Sequence, residues 1–267
     1  RRTGGQGKEN NMPVAGVDVG SVAAKAVILD EQSSTILSHA VLPTGWNPRQ
    51  AGEEALNRAC SAAGVERASL KRIVGTGYGR IALPFANKSV TEITCHALGA
   101  VHLFPRTGVV LDIGGQDSKA IAVDADGLVQ DFVMNDKCAA GTGRFLQVLS
   151  GILGMDLPEL DEAAAKGHPT DISSMCAVFA ETEIVGLLAQ GAKPEDVAAG
   201  VFRSLARRMV TLSRRIACRG EYTFTGGLAS MPAFAARLAE ELGAEINVAE
   251  QPQTIGALGA ALIAARP

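Results

Sequence analysis

The chain has 267 residues, of which 47% are hydrophobic and 20% are charged, and its formal net charge is −3. This length allows one large or two modest domains with a substantial core, and the absence of basic runs argues against nucleic acid as the main partner. The longest apolar stretch, 256–265, is too short to span a bilayer, and no signal peptide is predicted. The protein is therefore expected to be cytoplasmic, where its five cysteines would be reduced.

The first half of the chain is predicted to open with three strands. A polar, glycine-rich segment at residues 1–11, expected to be a flexible leader, is followed by a β-hairpin over 14–30 and a strand over 35–42, because β-branched residues precede glycine turns. The next predicted elements are a helix over 49–64, a strand from Ile73 that ends in the glycine loop Gly75–Arg80, and a helix over 91–104.

The second half repeats this strand-rich opening and then becomes mostly helical. Strands are predicted over 108–111, 120–123, 127–133, from Tyr222 and over 245–248; helices are predicted over 142–153, 158–166, 176–190, 194–217, 231–242 and 253–265. Repeated strand-rich openings followed by helices indicate an α/β fold of two similar halves. We expect one domain at 12–105, with the C-terminal segment 253–267 packing back on it, and a second at 106–252.

Two aspartate turns carry the first functional signal. Asp18–Ser21 follows the apolar run 14–17, and Asp112–Lys119 follows the apolar run 109–111. Glycine N–H groups in such turns point at anions, and a nearby aspartate can hold a hydrated divalent cation. The pair predicts a clamp on a nucleotide triphosphate with Mg²⁺, formed by Asp18, Gly20 and Ser21 of the first turn and Asp112, Gly114 and Gly115 of the second.

A third glycine turn follows the β-rich run that begins at Tyr222. Its pair Gly226 and Gly227 lets the backbone approach a base and ribose, and the helical pattern 231–242 comes next. The order of two phosphate turns and then an adenosine turn resembles the superfamily of actin, hexokinase, Hsp70 chaperones and acetate kinases. A single glycine turn would be compatible with an ordinary hairpin, whereas the ordered set favours ATP or ADP binding.

Two cysteines each precede a predicted helix. Cys138 lies in the segment 135–145 and Cys176 in the segment 172–179, where serines are available as caps. Thiolates at helix N-termini are stabilised by unpaired N–H groups and the helix dipole. The spacing matches neither a zinc finger nor a ferredoxin run. Two ligands are half of a four-iron set, which a two-fold axis would complete; inert thiols remain the alternative.

A family resemblance bears on that choice. The chain resembles the activators of 2-hydroxyacyl-CoA dehydratases, of the BadF/BadG/BcrA/BcrD ATPase family, which also includes ATP-binding subunits of benzoyl-CoA reductase. The resemblance covers residues 14–265 and is carried by segments 18–25, 75–80, 112–119, 135–145 and 225–229. It implies an actin-like fold of two RNase H-like domains around a nucleotide cleft. It also implies a homodimer with one [4Fe-4S] cluster, held by Cys138 and Cys176 of both chains.

The same resemblance implies an activity. The chain is expected to hydrolyse ATP and deliver one low-potential electron to a 2-hydroxyacyl-CoA dehydratase or a related iron-sulfur reductase, with a ferredoxin or flavodoxin as donor. The alternatives are a small-molecule kinase of the acetate or sugar kinase type, and a non-redox ATPase switch of the actin or Hsp70 type. Neither alternative would need iron.

Four further residues are candidates for the nucleotide site, and two of them, Lys25 and Gln253, also have a structural explanation. Gln116 and Asp117 are placed to position the attacking water. Lys25 reaches a phosphate or is a surface lysine, and Gln253 lies near the nucleotide or caps the last helix.

The remaining cysteines, histidines and glutamates are assigned mainly structural roles. Core thiols are predicted at Cys60, Cys95 and Cys218, and His96 and His102 are taken as structural because their spacing does not place them on one helical face. Glu181 and Glu183 either orient water or support the hinge, or they form a solvated helix face.

Overall fold

The structure is a computed structural model that describes residues 12–173, 176–217 and 219–266. They form two units: one runs to Cys95 and resumes at Gly256, and the other is His96–Ile255. The predicted leader 1–11 and the predicted core thiol Cys218 lie outside the described residues. The domain boundaries expected at 105 and 252 stay a prediction. Within the described ranges, no helix combines the length and the hydropathy that crossing a membrane requires.

The first unit contains a mixed sheet. Its strands are β1 (Pro13–Val19), β2 (Ala23–Asp30), β3 (Ile36–Pro43), β4 (Ile73–Thr76) and β5 (Lys88–Ser89). β1, β2 and β3 form an antiparallel meander, β4 pairs parallel to β1, and β5 pairs parallel to β4. In the described chain the order is β3-β2-β1-β4-β5. β1 is the central strand, and its continuous apolar run is buried on both faces.

Helices cover this sheet closely. α1 (Pro48–Ala63) begins where the Asn47 side chain accepts the Gln50 N–H at 3.2 Å, and it ends at Gly64, whose φ of 65° is left-handed. α8 (Ile255–Ala265) lies against β1 at Gly16, where a Cβ atom would come within 2.0 Å of the Ala257 carbonyl oxygen. Glycine at 16 therefore permits direct contact between the helix and strand backbones.

The second unit contains a sheet of the same topology. Its strands are β6 (Thr107–Ile113), β7 (Ser118–Val123), β8 (Val129–Asn135), β9 (Glu221–Gly226) and β10 (Ile246–Val248). β6, β7 and β8 form an antiparallel meander, and β9 and β10 are added parallel on the other side of β6. The order in the described chain is β10-β9-β6-β7-β8. The prediction of two similar α/β halves is confirmed.

The helices of the second unit pack on an aromatic core. The chain passes from the first unit to the second along α2 (Glu92–Leu103). The helices that follow are α3 (Gly143–Leu153), α4 (Leu157–Lys166), α5 (Ala177–Ala189), α6 (Pro194–Ser213) and α7 (Pro232–Leu242). The ring of Phe234 lies 5.4 Å from that of Phe202 and 5.8 Å from that of Phe224, between centroids. These contacts join α6, α7 and β9, so the strand that carries the third glycine turn is fixed by the core.

Candidate functional site

The second aspartate turn contains a buried ion network. Asp112, near the end of β6, is opposite Lys119 in the register of the β6–β7 hairpin. The Lys119 side chain is only 2% exposed, and its Nζ lies 3.3 Å from Asp112 Oδ2 and 2.7 Å from Asp117 Oδ1. On the other side, Thr225 of β9 donates its hydroxyl to Asp112 Oδ1 at 3.0 Å. A buried lysine paired in this way keeps two carboxylates together beside the turn.

His96 completes this network. Its Nδ1 lies 3.1 Å from Thr225 Oγ1 and 3.6 Å from Asp112 Oδ1. Burial opposes ionisation of Asp112, but His96 and Lys119, with the hydrogen bonds from Thr225 and Lys119, outweigh burial and lower the pKa of Asp112 to about 2. Asp112 is therefore an anion at neutral pH, as its predicted role requires. His96 contacts that carboxylate, which the sequence analysis did not predict.

Gly226 lies directly over Asp112. Its φ is +91°, and a Cβ atom there would come within 2.5 Å of the Ile113 carbonyl oxygen and 2.7 Å of Asp112 Oδ1. Only glycine is compatible with that backbone and that approach. Around Gly227, by contrast, a Cβ atom would meet nothing within 4 Å. The two glycines therefore differ: Gly226 holds the turn against Asp112, and Gly227 faces open space.

The first aspartate turn has the same construction in its own unit. Asp18 of β1 is opposite Lys25 of β2 and opposite Thr76 of β4, and Lys25 Nζ lies 3.1 Å from Asp18 Oδ2. Gly77, with φ +86°, lies over this carboxylate, because a Cβ atom there would be 2.3 Å from Asp18 Oδ1. Each unit thus repeats an aspartate at a strand end, a lysine seven residues later, a threonine on the parallel strand and a glycine in the left-handed region.

Two amides are not placed as the sequence analysis expected. The N–H of Gly20 donates to the Ala23 carbonyl at 3.0 Å, and the N–H of Gly114 donates to the Asp117 carbonyl at 2.9 Å. Both amides close their own turns. A tight hairpin turn uses its first glycine amide internally, so the role of Gly20 and Gly114 in phosphate binding stays a prediction.

The second turn is also joined to α3. Gly143 and Arg144 donate their N–H groups to the carbonyls of Gly114 and Gly115, each at 2.9 Å. Thr142 caps the helix, since its hydroxyl accepts the Arg144 N–H at 3.3 Å. The start of α3 is therefore fixed to the aspartate turn by main-chain hydrogen bonds.

Cys138 lies just before this helix start and is exposed. The Asn135 side chain holds its backbone from both sides: it accepts the Cys138 N–H at 3.1 Å and donates to the Cys138 carbonyl at 2.9 Å. Cys138 precedes a single 3-10 turn, Ala139–Gly141. The α-helix itself begins at Gly143, one residue after the predicted start at 142, and not at the cysteine.

Cys176 is the residue before α5 and is also exposed. No serine caps this helix through its side chain among the described residues. Instead, Ser173 donates its N–H and its hydroxyl to Glu183 Oε1, at 2.8 Å and 2.7 Å. Glu183 therefore links the approach to Cys176 with the middle of α5, whereas Glu181 is exposed.

The other predicted residues are placed as follows. Cys60 and Cys95 are buried, so the core-thiol prediction is confirmed for both; burial raises the pKa of Cys60 and raises that of Cys95 to about 12. Gln116 is exposed, and Gln253 donates its Nε2 to Ser230 Oγ at 3.2 Å. Among the described residues, no group of three or more His, Cys, Asp and Glu side chains could hold a metal ion.

Comparison with known proteins identifies the relatives of this arrangement. The sequence profile of the BadF/BadG/BcrA/BcrD ATPase family matches residues 15–264. The chain belongs to this family. The uncharacterized protein YjiL of Escherichia coli is 43% identical over 94% of this chain and 96% of its own length. The (R)-2-hydroxyglutaryl-CoA dehydratase activating ATPase of Acidaminococcus fermentans is 40% identical over 93% of this chain and 95% of its own.

Solved structures confirm the predicted fold of this family member. The activator of the 2-hydroxyisocaproyl-CoA dehydratase from Clostridium difficile, solved with bound ADPNP, superposes with a TM-score of 0.90 at 39% identity, covering 95% of this chain and 94% of that one. A ROK hexokinase from Thermus thermophilus shares the fold at a TM-score of 0.51 and 18% identity, covering 95% and 98%. The actin and hexokinase type of α/β fold expected from the sequence is therefore correct.

Proposed function

We propose that this protein is an ATP-dependent activator that hydrolyses ATP and delivers a low-potential electron to a 2-hydroxyacyl-CoA dehydratase or a related iron-sulfur reductase. The observation that carries the proposal is the hydrogen-bonded path in the second unit. It runs from the Asp112 turn through the start of α3 to the turn of the exposed Cys138. Family membership with dehydratase activators supports it.

ATP is the nucleotide of this proposal, because a relative was solved with bound ADPNP. Asp18 and Asp112 would hold a hydrated Mg²⁺, which would offset the charge of the triphosphate. Both carboxylates suit a hydrated cation and each already contacts one lysine. Phosphate donors on this reading include Ser21, Gly115 and Lys25, with Gln116 and Asp117 placing the attacking water. Gly226 and Gly227 lie beside the adenosine, and Gln253 is near it.

The chemical fit of an iron-sulfur cluster is good at the two exposed cysteines. Cys138 and Cys176 each precede a helical turn, where thiolates are favoured. One chain offers two such thiols, so a homodimer would hold one [4Fe-4S] cluster, which stores and releases one electron. α5, which follows Cys176, exposes Val178 and Phe179 at 70% and Val185 at 52%. An apolar surface beside a cysteine ligand is what a second copy of the chain would cover.

Coupling between ATP and the thiols follows from the same contacts. A change at the Asp112 turn would move the Gly114 and Gly115 carbonyls, which accept the first N–H groups of α3. Asn135, which clamps Cys138, is opposite Ser118 in the β7–β8 register, one residue from Lys119. Nucleotide state therefore reaches the Cys138 turn through two short backbone routes. A ferredoxin or flavodoxin would supply the electron.

The function is tested with anaerobically purified protein, a chemical reductant and a purified 2-hydroxyacyl-CoA dehydratase. We expect the dehydratase to gain activity when ATP is present, and to stay inactive when ADP or ADPNP replaces ATP, because hydrolysis is what drives transfer. Activation that is equally fast without ATP would contradict the ATP dependence, and ATP hydrolysis with no reduction of any tested dehydratase would favour a non-redox ATPase.

The adenosine assignment has a separate test in Gly227→Ala. Because a Cβ atom at 227 meets no other atom within 4 Å, the melting temperature should stay unchanged, while ADP affinity falls about tenfold if adenosine packs there. Calorimetric titration with ADP measures the affinity. Gly151→Ala, at another glycine with nothing within 4 Å, serves as the matched control. Unchanged affinity in Gly227→Ala would move the nucleotide away from this turn.

A further inference from the structure

A basic cavity of about 490 Å³ lies in the second unit, beside Cys138. It is lined by the start of β7, the end of β8, the turn after Cys138, the segment at Asp171 and one face of α6 that continues to Arg215. Among the residues that the structure describes, its charged lining consists of four arginines and one aspartate, which gives a net charge of +3: Arg203, Arg207, Arg208, Arg215 and Asp171. This volume lies in the range of small-molecule sites.

The arginines share a surface because of their spacing. Arg203 and Arg207 are four residues apart, so they share one face of α6, and Arg215 lies in the turn after the helix end and lines the same cavity. Ser204 and Thr211 add hydroxyl groups to the same lining. Like charges at this spacing repel one another and destabilise a helix. A bound anion would neutralise part of this positive charge and so reduce the repulsion between the arginines. A solvated helix face that carries both charge signs would have no such repulsion to reduce.

The contacts that these arginines already make leave donors for a ligand. Arg203 donates one Nη to Asp171 at 2.7 Å, and Asp171 is 92% exposed. Arg207 donates its Nε to Glu241 at 3.0 Å. Each guanidinium carries five N–H donors in a planar fork that matches phosphate oxygens. Arg215 forms no ion pair with any residue that the structure describes, so its charge is also available.

The cavity is distinct from the nucleotide turns. Ser118 lines it, whereas the adjacent Lys119 faces Asp112, and successive side chains of a strand point to opposite faces of the sheet. Neither Gly114 and Gly115 nor Gly226 and Gly227 contribute to its lining. An anion in this cavity would therefore be additional to the nucleotide.

We propose that this cavity binds a small molecule carrying a phosphate or diphosphate group, held by Arg203, Arg207 and Arg215. Bidentate pairing between guanidinium and phosphate supplies the recognition, and the Ser204 hydroxyl donates to a remaining oxygen. The proposal does not depend on the electron-transfer function, because it concerns only side chains of the second unit. Its position beside Cys138 would place the bound anion next to an exposed thiol.

The test is calorimetric titration of inorganic pyrophosphate into the full chain, with saturating ADP present so that the nucleotide turns are occupied. We expect saturable binding that weakens as NaCl concentration rises, and a loss of about tenfold or more in Arg207→Gln/Arg215→Gln. Arg106→Gln is the matched control, since Arg106 is 85% exposed, pairs with Glu221 at 2.8 Å and does not line the cavity. Equal affinity in the double variant and the control would overturn the proposal.

Three further measurements keep the proposal falsifiable if the double variant fails to fold. Pyrophosphate should protect Arg207 and Arg215 of the unaltered protein from phenylglyoxal, mapped by peptide mass spectrometry, and should not protect Arg106; absence of protection contradicts the site. Asp112→Asn should bind pyrophosphate as well as the parent does, and loss of binding there would assign the signal to the nucleotide turns. If a hexaglutamate peptide binds to the protein and pyrophosphate does not, the proposal of a small anion is rejected, and the ligand of the cavity would be an acidic protein segment.

Discussion

Replacing Asp112 with asparagine is expected to lower the rate of ATP hydrolysis by about two orders of magnitude or more, because the charge that we propose to lie beside the reacting phosphate is lost. Asp112 is ionised at neutral pH, since His96 and Lys119 outweigh its burial and hold its pKa at about 2. Asparagine keeps the shape of the side chain but supplies no negative charge for a bound cation. Phosphate release at saturating ATP and Mg²⁺ measures the effect.

The same substitution should also cost stability. Lys119 is only 2% exposed and would lose the charge of Asp112, one of its carboxylate partners, and removing one partner of a buried ion pair costs about 3 kcal/mol. Asp126→Asn is the matched control, because Asp126 is exposed in the β7–β8 turn. In the double variant Asp112→Asn/Lys119→Met the loss should be smaller than the sum of the single losses. Hydrolysis at the parental rate in Asp112→Asn would remove Asp112 from the active site.

The pH dependence of that stability loss has a defined sign. The folded pKa of Asp112 lies below its ordinary value of 3.8, at about 2. A lowered carboxyl pKa contributes stability at pH values above 3.8 and loses it as the pH falls toward the folded value. The difference in unfolding free energy between the parent and Asp112→Asn should therefore be constant above about pH 5 and shrink below pH 4.

The sequence predicted the elements of this fold well because most are bounded by strong local signals. Asn47 and Pro48 start α1, Gly64 ends it, and Asp18 and Asp112 each follow an apolar strand and precede a glycine turn. The predicted helix over 194–217 is too long: α6 ends at Ser213, and the chain turns through Arg214 before β9. Local helical propensity does not report where a chain must turn back toward its sheet.

The contacts around Asp112 were less accessible to sequence reasoning. A lysine seven residues after each turn aspartate was visible in both halves, but its meaning depends on hairpin register, which places Lys25 opposite Asp18 and Lys119 opposite Asp112. His96 contacts Thr225 across 129 positions of sequence. Such a contact follows from tertiary packing, so helical spacing between His96 and His102 carried no information about it.

The largest expected effect concerns iron. Each chain offers two exposed thiols before helical turns, Cys138 and Cys176, and a cubane cluster held by cysteine needs four. We expect a homodimer with about one four-iron cluster per two chains. Cys138→Ser and Cys176→Ser should each abolish iron binding and the visible absorption of the cluster. Iron and sulfide analysis after anaerobic purification, combined with light scattering for the mass, measures the stoichiometry.

Cys60→Ser is the control for that experiment, because Cys60 is a buried thiol whose pKa is raised by burial and which is therefore protonated and unsuited to iron. It should keep full iron content, and both ligand variants should still bind ADP, since the Asp18 and Asp112 turns are unaltered in them. Two clusters per dimer, or full iron retention in Cys176→Ser, would contradict a shared cluster. The shared cluster would have only two ligands from each chain, so loss of iron should also shift the dimer toward monomers. A dimer that is equally stable without iron would show that the exposed face of α5, with Val178 and Phe179, is sufficient to hold the two copies together.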